Sequence, residues 1–448
     1  MASSIIGEKR IRIDDSSSSS KLNSMIMPSF PTLVTTMSGN KRIKKHQNRD
    51  LPEEILIEIM YYLNAKDLQN YKSVSKFWFS SISHPHFINK HLNLIQQKPS
   101  QQEILLTALQ IPKNQSSSHR YTHFSITITP QSQLMMNPKK LNFPQQQHGQ
   151  LVMALSLQAT CDGLLLFQDK YNPKQLYISN PVTCQFRPLT PIKHYCSFWA
   201  LVSDTTSIHK YKVFGVNSNL HYSVLTLGEA TPTPRWDSWT VSTPRKRAND
   251  YVFSQLTLLG KKLHWLTTDE YAADNGFLNS QECYCVYSVN IETLKFLRMR
   301  IPPKLMKPPC SEGITTSKGQ GLHLLSEVNS SLCLTFVTPL QLQMFLMKEK
   351  KNSITWTKSL TVNLHSLSNQ PSFFHSFLSD NTCLVPTRGV DHSDMLNLVK
   401  VYIHYGDKLF CYDLKTQDCT ELGFLSNEQQ LCKQYFFNSD SLVSWTSV

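Results

Sequence analysis

The residues of this chain that could bind a metal or perform acid–base chemistry occur in short, isolated clusters. His119 and His123 have the four-residue spacing of two helical metal ligands, but a Ser-rich, strand-like context would place them on different faces. Asp391 and Asp394 are explained equally well by an exposed turn, and the cysteines at 283 and 285 have no second pair to complete four zinc ligands. The sequence therefore predicts no metal site, no cofactor and no catalytic residue.

Motifs with a known catalytic mechanism are also missing from the sequence. It contains no P-loop, no GxSxG, no HExxH and no GxGxxG after a predicted strand. An enzymatic or lectin-like function would depend on analogy with a fold alone, and a fold does not specify a function. We therefore look to binding functions.

Composition indicates a globular chain kept inside the cell. Of its 448 residues, 40% are hydrophobic and 17% charged, and the most apolar stretch, Leu332 to Met347, is interrupted by Pro339, so no membrane span is expected. The scattered cysteines do not form a disulfide framework, and charges occupy the position where a secretory signal needs apolar residues. We expect a location in the nucleus, the cytoplasm or both.

The net charge of +13 is partly a property of the first 50 residues, which carry nine Lys or Arg against four Asp or Glu. The run KRIKK, Lys41 to Lys45, is explained either by a nuclear localisation signal or by a solvated charge run. Basic stripes interleaved with aromatic residues are not found elsewhere, which argues against nucleic-acid binding.

Four regions follow from these patterns. Residues 1–46 are Ser-rich and basic and are expected to be disordered, and residues 47–95 carry helical patterns. Residues 96–120 are expected to be a linker with room for one short helix, and residues 121–448 form an all-β domain. The fold class is therefore α+β multidomain, with a small all-α module before a β domain.

Three segments of the β domain share one pattern, in which Asn or Asp is followed after two residues by Thr and after two more by an apolar residue. The Asn or Asp side chain is expected to accept bonds from backbone N–H groups ahead of it, which closes a hairpin. The three copies are Asn180/Thr183/Phe186, Asn290/Thr293/Phe296 and Asp413/Thr416/Cys419.

Further hairpins are expected at 221–241 and 344–362, which gives a repeating unit of about 55 residues. Radial repetition of four-stranded units produces a β-propeller, and five or six blades fit the available length. Two stacked β-sandwiches with similar hairpins are the alternative.

The stretch from Asp50 to Phe87 predicts three or four short helices, three of which have recognisable start signals. Glu53 and Glu54 favour a helix start after Pro52, Asn64 can cap a second helix, and Ser75 can open a third that stops at His84–Pro85. A module of this size has more large apolar residues than its own core can bury, so the surplus must contact either the β domain or another protein. A helical cap folded on the β domain and a docking module both remain open on this argument.

The helical stretch resembles the F-box. LPEEILIEIMYYL, KDLQNYKSVSKFW and SISHPHF follow its order of conserved types, through residues Leu51, Pro52, Glu54, Ile59, Leu63, Lys66, Asp67, Leu68, Val74, Lys76, Trp78 and Phe87. The β domain resembles the F-box associated domain of plant F-box proteins, which is kelch-like. That resemblance is carried by CDGLLLF, ISNPVTCQFRPL, YKVFGV, LLGKKLHWL and the later hairpins.

The resemblance implies a substrate receptor of an SCF-type ubiquitin ligase, with a SKP-type adaptor as direct partner and cullin and RING subunits beyond it. A non-degradative scaffold or transcriptional co-regulator is the alternative. The residues expected to form or support the adaptor face are Leu51, Pro52, Ile55, Ile59, Leu63, Leu68, Val74 and Trp78.

A protein substrate of unknown identity is expected on the longer loops of the β domain, at 229–249, 267–282, 302–321 and 386–394. The first loop mixes Trp and Arg, the residue types that dominate binding hot spots, although core packing is expected for at least one of its tryptophans. The candidate substrate residues are Arg235, Trp236, Arg245, Lys246 and Arg247.

Overall fold

The computed structural model of the protein divides into two compact units, residues 1–51 and 52–448. The residues that it describes are 51–96, 103–110, 120–128, 134–138, 155–204, 210–217, 221–228, 235–240, 256–269, 283–302, 305, 322–328, 331–337, 341–350, 353–363, 400–405, 408–413, 419–424, 429–438 and 441–443. The predicted disordered segment 1–46 and the KRIKK run lie outside them. Among the described helices, none has the length and hydropathy needed to span a membrane.

The helical module contains the three predicted helices, α1 (Glu53–Met60), α2 (Ala65–Tyr71) and α3 (Lys76–Ser83). The predicted caps are confirmed. The Asn64 side chain accepts a hydrogen bond from the Asp67 N–H at 2.8 Å, and the Ser75 hydroxyl accepts one from the Trp78 N–H at 3.2 Å. These bonds satisfy N–H groups that the first turn of a helix leaves without a partner.

A fourth helix, α4 (Pro85–Gln96), follows directly after α3. Pro85 ends α3 as expected, but it also begins α4, because proline is well tolerated at the first helical position. Ile88, Leu92 and Ile95 are buried at the i, i+4, i+7 spacing of one helix face.

The described strands form six antiparallel sheets. Sheet 1 contains β1 (Glu103–Gln110), β2 (Arg120–Ile128), β3 (Leu134–Pro138) and β23 (Gln429–Asn438). Sheet 2 contains β4 (Leu155–Cys161), β5 (Leu164–Asp169), β6 (Leu176–Asn180) and β7 (Gln185–Pro188). Sheet 3 contains β8 (Phe198–Ser203), β9 (Tyr211–Val216), β10 (His221–Leu227) and β11 (Trp236–Thr240).

The remaining sheets follow in chain order. Sheet 4 contains β12 (Thr257–Leu259), β13 (Lys262–Asp269), β14 (Cys283–Asn290) and β15 (Phe296–Arg300). Sheet 5 contains β16 (Leu322–Val328), β17 (Ser331–Val337), β18 (Gln341–Lys350) and β19 (Ser353–Asn363). Sheet 6 contains β20 (Lys400–Tyr405), β21 (Lys408–Asp413) and β22 (Cys419–Phe424).

Within sheets 2 to 5 each strand pairs with its neighbour along the chain, which is the order expected for propeller blades. The two further hairpins predicted from the sequence are confirmed as β10–β11 and β18–β19. Sheet 1 differs, because its first strand β1 pairs with β23 from the far end of the chain. This pairing joins the first and last described strands in one sheet and covers one edge of β1.

Strand β1 lies where the sequence predicts a linker. The segment EILLTALQ is flanked by Gln, Ser and Pro residues that favour loops, and its partner β23 is distant in the sequence. A strand whose partner is remote gives a weak local signal, so the linker assignment fails for residues 103–110.

The repeated Asn pattern forms the predicted hairpin turns. The Asn180 carboxamide oxygen accepts from the N–H groups of Val182 at 2.9 Å and Thr183 at 3.4 Å. The Asn290 carboxamide oxygen accepts from the N–H groups of Glu292 at 2.9 Å and Thr293 at 2.8 Å. Both turns join the third and fourth strands of a sheet, as expected for an outer hairpin.

Two further features show that these turns are equivalent. Four residues after the Asn, Cys184 (φ 54°) and Leu294 (φ 56°) both adopt the left-handed conformation. In all three copies the residue before the Asn or Asp pairs with the apolar residue of the motif: Ser179 with Phe186, Val289 with Phe296 and Tyr412 with Cys419.

Candidate functional site

Exposed large apolar residues are concentrated in the helical module. Of the ten found among the described residues, seven lie between residues 51 and 79. Large apolar side chains in contact with water are a feature of protein interaction sites when they cluster. We call the following residues the exposed apolar set: Ile55, Ile59, Tyr62, Tyr71, Val74 and Phe79.

Helix α1 places two of these residues on one side, and the turn directly after it adds Tyr62. Ile55, Ile59 and Tyr62 are separated by four and three residues, which is the spacing of one helix face, and the two isoleucines are 47% and 46% exposed. Met60, on a different side of the helix, is completely buried. The helix therefore has one face for the core and another for solvent or a partner.

The turn between α2 and α3 and the helix that follows it add Val74, which is 62% exposed, and Phe79, which is 57% exposed. The N–H of Val74 donates to the Tyr71 carbonyl at 3.0 Å, which fixes the turn, and the rings of Tyr71 and Trp78 meet edge to face at 5.5 Å. Trp78 thereby supports the conformation that exposes Val74.

Helix α4 contacts Glu58 of α1 and the turn that follows α1. Lys90 forms an ion pair with Glu58 at 2.9 Å and lies 4.1 Å from the centre of the Tyr61 ring. Tyr61 stacks on Phe87 at 4.7 Å, and the His91 ring bonds the Leu63 carbonyl at 2.8 Å. These contacts make the solvent-facing side of α1 a fixed surface.

The buried side of the module packs into a core that it shares with sheets 2 and 3. That core joins helical residues such as Met60, Leu68 and Ile82 to strand residues such as Leu164 and to Leu442 near the end of the chain. The helical-cap interpretation is therefore correct for this side of the module, while the exposed apolar set is left for another contact.

The residues predicted to form or support an adaptor face divide into two groups. Leu51, Pro52, Ile55, Ile59 and Val74 are exposed, whereas Leu63 and Trp78 are partly buried against the core and Leu68 is completely buried.

Leu68 can therefore support the surface but cannot contact a partner. Tyr62, Tyr71 and Phe79 are exposed, but the sequence does not predict them as part of the face. The i+7 spacing of Tyr62 from Ile55 was the available signal.

The predicted substrate residues are only partly described. Arg235 is exposed, while the Trp236 indole donates to the Thr190 carbonyl at 2.6 Å and meets Trp199 edge to face at 5.9 Å. Trp236 thus packs between sheets 2 and 3. Residues 245–247 lie outside the described residues.

The predicted loops also need correction at their boundaries. Strand β11 occupies part of 229–249, and β13 extends to Asp269 within 267–282. In antiparallel meanders, alternate connections leave from the same end, so those after β11, β13 and β15 share one end of their sheets. The Asn180 and Asn290 turns are at the other end.

Metal chemistry has no support in the described part of the chain, where no cluster of three His, Cys, Asp or Glu side chains could hold an ion. The described residues show an apolar helical surface at one place and strand connections at another.

Comparison with known families identifies both parts. The model of the F-box associated beta propeller domain matches residues 115–444, and an F-box-like model matches residues 49–94. The chain belongs to the F-box associated beta propeller family. Its helical module is the F-box, and its six sheets are those of an F-box associated propeller, which confirms the predicted fold class.

Curated relatives agree with this assignment. The Arabidopsis thaliana F-box protein At3g52320 is 27% identical over 175 residues, which is 37% of this chain and 40% of the relative. The Arabidopsis thaliana F-box protein At1g47340 is 23% identical over 194 residues, which is 40% of this chain and 41% of the relative. The chain thus matches less than half the length of these relatives.

Among solved structures, the Cps50 (Swd1) β-propeller domain of Myceliophteria thermophila is 11% identical, with a TM-score of 0.34, and the match covers 70% of this chain and 88% of that chain.

Proposed function

We propose that this F-box associated propeller chain is the substrate receptor of an SCF-type ubiquitin ligase. The F-box docks on a SKP-type adaptor, and through it on cullin and RING subunits, while the propeller holds a protein substrate. The observation that supports this most directly is the exposed apolar set on helices whose opposite side is already packed into the core.

The receptor contributes proximity. A substrate held on the same assembly as a charged ubiquitin-conjugating enzyme has its lysines at a high effective concentration near the thioester. The receptor itself needs no catalytic group for this role, and the enzyme chemistry belongs to other subunits.

The adaptor contact is expected to depend on a few apolar anchors. Truncation of an anchor at a protein interface typically costs about 1–2 kcal/mol, so two truncations are expected to weaken binding at least about tenfold. Candidate anchors are Leu51 and Pro52 before α1, and Ile55 and Ile59 on its exposed face.

The first test uses two double variants of the full chain, Leu51→Ala with Pro52→Ala and Ile55→Ala with Ile59→Ala. Both are expected to lose co-purification with the adaptor while their thermal unfolding stays close to wild type, because the replaced side chains are exposed. Binding is measured by co-purification and by titration with purified adaptor.

Tyr171→Ala with Tyr195→Ala is the matched control, since both tyrosines are similarly exposed but lie on the propeller. Met60→Ala is a second control, which should lower stability because the side chain is completely buried. Wild-type adaptor binding by both double variants, with the tyrosine control also unchanged, would remove the proposed docking face.

The substrate is proposed to bind at the end of the propeller from which the connections after β11, β13 and β15 leave. Arg235 lies at the start of β11, and Arg245, Lys246 and Arg247 follow the same strand in the sequence. Their role in substrate binding, like the nuclear or cytoplasmic location, stays a prediction.

A further inference from the structure

An open cleft of about 460 Å³ lies between sheets 4 and 5. Its walls come from the β12–β13 turn, from β15 and from the facing strands of sheet 5. The volume is within the range of small-molecule sites in proteins, roughly 300–1,000 Å³. It lies apart from the F-box and at the end of the sheets that carries the Asn290 turn.

The cleft exists because one row of the interface between these sheets is not filled. Leu266, Val286 and Met299 are cross-strand neighbours on sheet 4, and they pack into an apolar core with sheet 5. Two residues along each strand, and so on the same face, the next row is His264, Ser288 and Leu297. This row contains a polar pair and a leucine that is 42% exposed.

His264 lines the cleft with one ring nitrogen unused. Its Nδ1 and the Ser288 hydroxyl oxygen are 2.6 Å apart, and the residue is 1% exposed. Its Nε2 has no hydrogen-bond partner within the part of the chain that the structure describes. A ligand group that pairs with this buried nitrogen makes the free energy of binding more favourable, because a buried polar atom without a hydrogen bond is costly.

The ring can present either of two forms to a ligand. If Ser288 donates to Nδ1, then Nε2 carries the proton and is a donor, and in the other tautomer Nε2 is an acceptor. A hydroxyl group both donates and accepts, so it can pair with Nε2 in either case. The remaining lining includes Leu259, Met347 and Ile354, which suit an apolar body.

Both lysine side chains that line the cleft are held in ion pairs. The lining contains Lys261 and Lys262 against Glu327 and Glu349. Lys262 forms an ion pair with Glu349 at 3.5 Å across the two sheets, and Lys261 pairs with Glu292 at 2.7 Å. The mouth is therefore suited to a neutral molecule.

We propose that the cleft between sheets 4 and 5 is a binding site for a small neutral molecule with an apolar ring or chain and one hydroxyl group, which pairs with Nε2 of His264. The site is independent of the adaptor face. A bound molecule would contact both sheets at once.

The test uses p-cresol and toluene as probes of nearly equal shape, with and without a hydroxyl group. Each is titrated into the full chain, and binding is followed by ligand-observed NMR. Wild type is expected to bind p-cresol about tenfold more tightly than toluene, which is the usual gain from meeting one buried hydrogen bond.

Two variants locate the binding. His264→Phe keeps a ring but removes the nitrogen, so the preference for p-cresol should disappear. Leu297→Trp, at an exposed position, should fill the cleft and reduce the binding of both probes. Thermal unfolding checks that each variant folds, and Leu297→Trp alone remains informative if His264→Phe does not fold.

Any of three results would overturn the proposal. The first is no binding of p-cresol, which would indicate a cleft occupied by water only. The others are equal affinity of wild type for the two probes, and unchanged binding of the probes in Leu297→Trp.

Discussion

Buried ionisable side chains of the propeller are held in their neutral forms. Burial raises the pKa of the Cys196 thiol to about 12 and that of Cys333 to about 11, so both stay protonated at neutral pH. They act as small apolar residues of the core, and Cys285 is equally buried. At His264, burial and the nearby Lys262 charge lower the pKa from 6.5 to about 4.

This lowered pKa of His264 predicts a pH dependence of stability. Above pH 6.5 the histidine is neutral in both folded and unfolded chains, so its contribution to stability is complete. As the pH falls from 6.5 towards 4, the unfolded chain binds a proton that the folded chain excludes, and the folded state loses about 3 kcal/mol. The free energy of unfolding, measured by denaturant titration at pH 7 and pH 4.5, should fall about 2–3 kcal/mol more in wild type than in His264→Gln. Equal losses in the two proteins would show that this histidine is not buried as described.

At the scale of elements, two equivalent turns differ in what else they bind. Asn180 and Asn290 close equivalent turns, but the Asn180 amide nitrogen also donates to the carbonyls of Ser441 at 3.1 Å and Val443 at 2.8 Å. Asn180 is completely buried, and Leu442 and Val443 belong to the core that contains the F-box helices. The first turn therefore fastens the segment 441–443 to sheet 2.

Matched substitutions separate these roles. Asn290→Ala should cost about 1 kcal/mol for the lost turn bonds, while Asn180→Ala should cost about 2–4 kcal/mol because two buried carbonyls lose their donor. Asn290→Asp keeps the turn acceptor and should be tolerated, as Asp413 occupies the same position in the third copy. Asn180→Asp should not be tolerated. The measurement is the free energy of unfolding of the four variants, and equal costs at the two positions would contradict the fastening role.

At this scale, a feature could be predicted from the sequence when the residues that form it lie close together in the chain. Asn180, Asn290, Asn64 and Ser75 bond to N–H groups two or three residues ahead, so their roles could be predicted from short motifs. Strand β1 and the bonds from Asn180 to 441–443 depend on partners at the far end of the chain, so no local sequence pattern predicts them. The cleft at His264 could not be predicted either, because it depends on how two sheets meet.

At the scale of the whole molecule, a small helical module is supported by a large β structure. The F-box alone is too short to bury its apolar residues, but the shared core with sheets 2 and 3 buries one side and leaves the exposed apolar set on the other. The two resemblances, helical and then β along the chain, predicted both domains, but only the structure shows which apolar residues are already buried in the core.

The central claim is tested most directly by hydroxyl-radical footprinting of the full chain with and without purified SKP-type adaptor. Oxidation at Ile55, Ile59, Tyr62 and Phe79 is predicted to fall in the complex, while Tyr171 and Tyr195 on the propeller stay unchanged. Protection confined to the propeller, or no protection of the four F-box residues at saturating adaptor, would contradict the account.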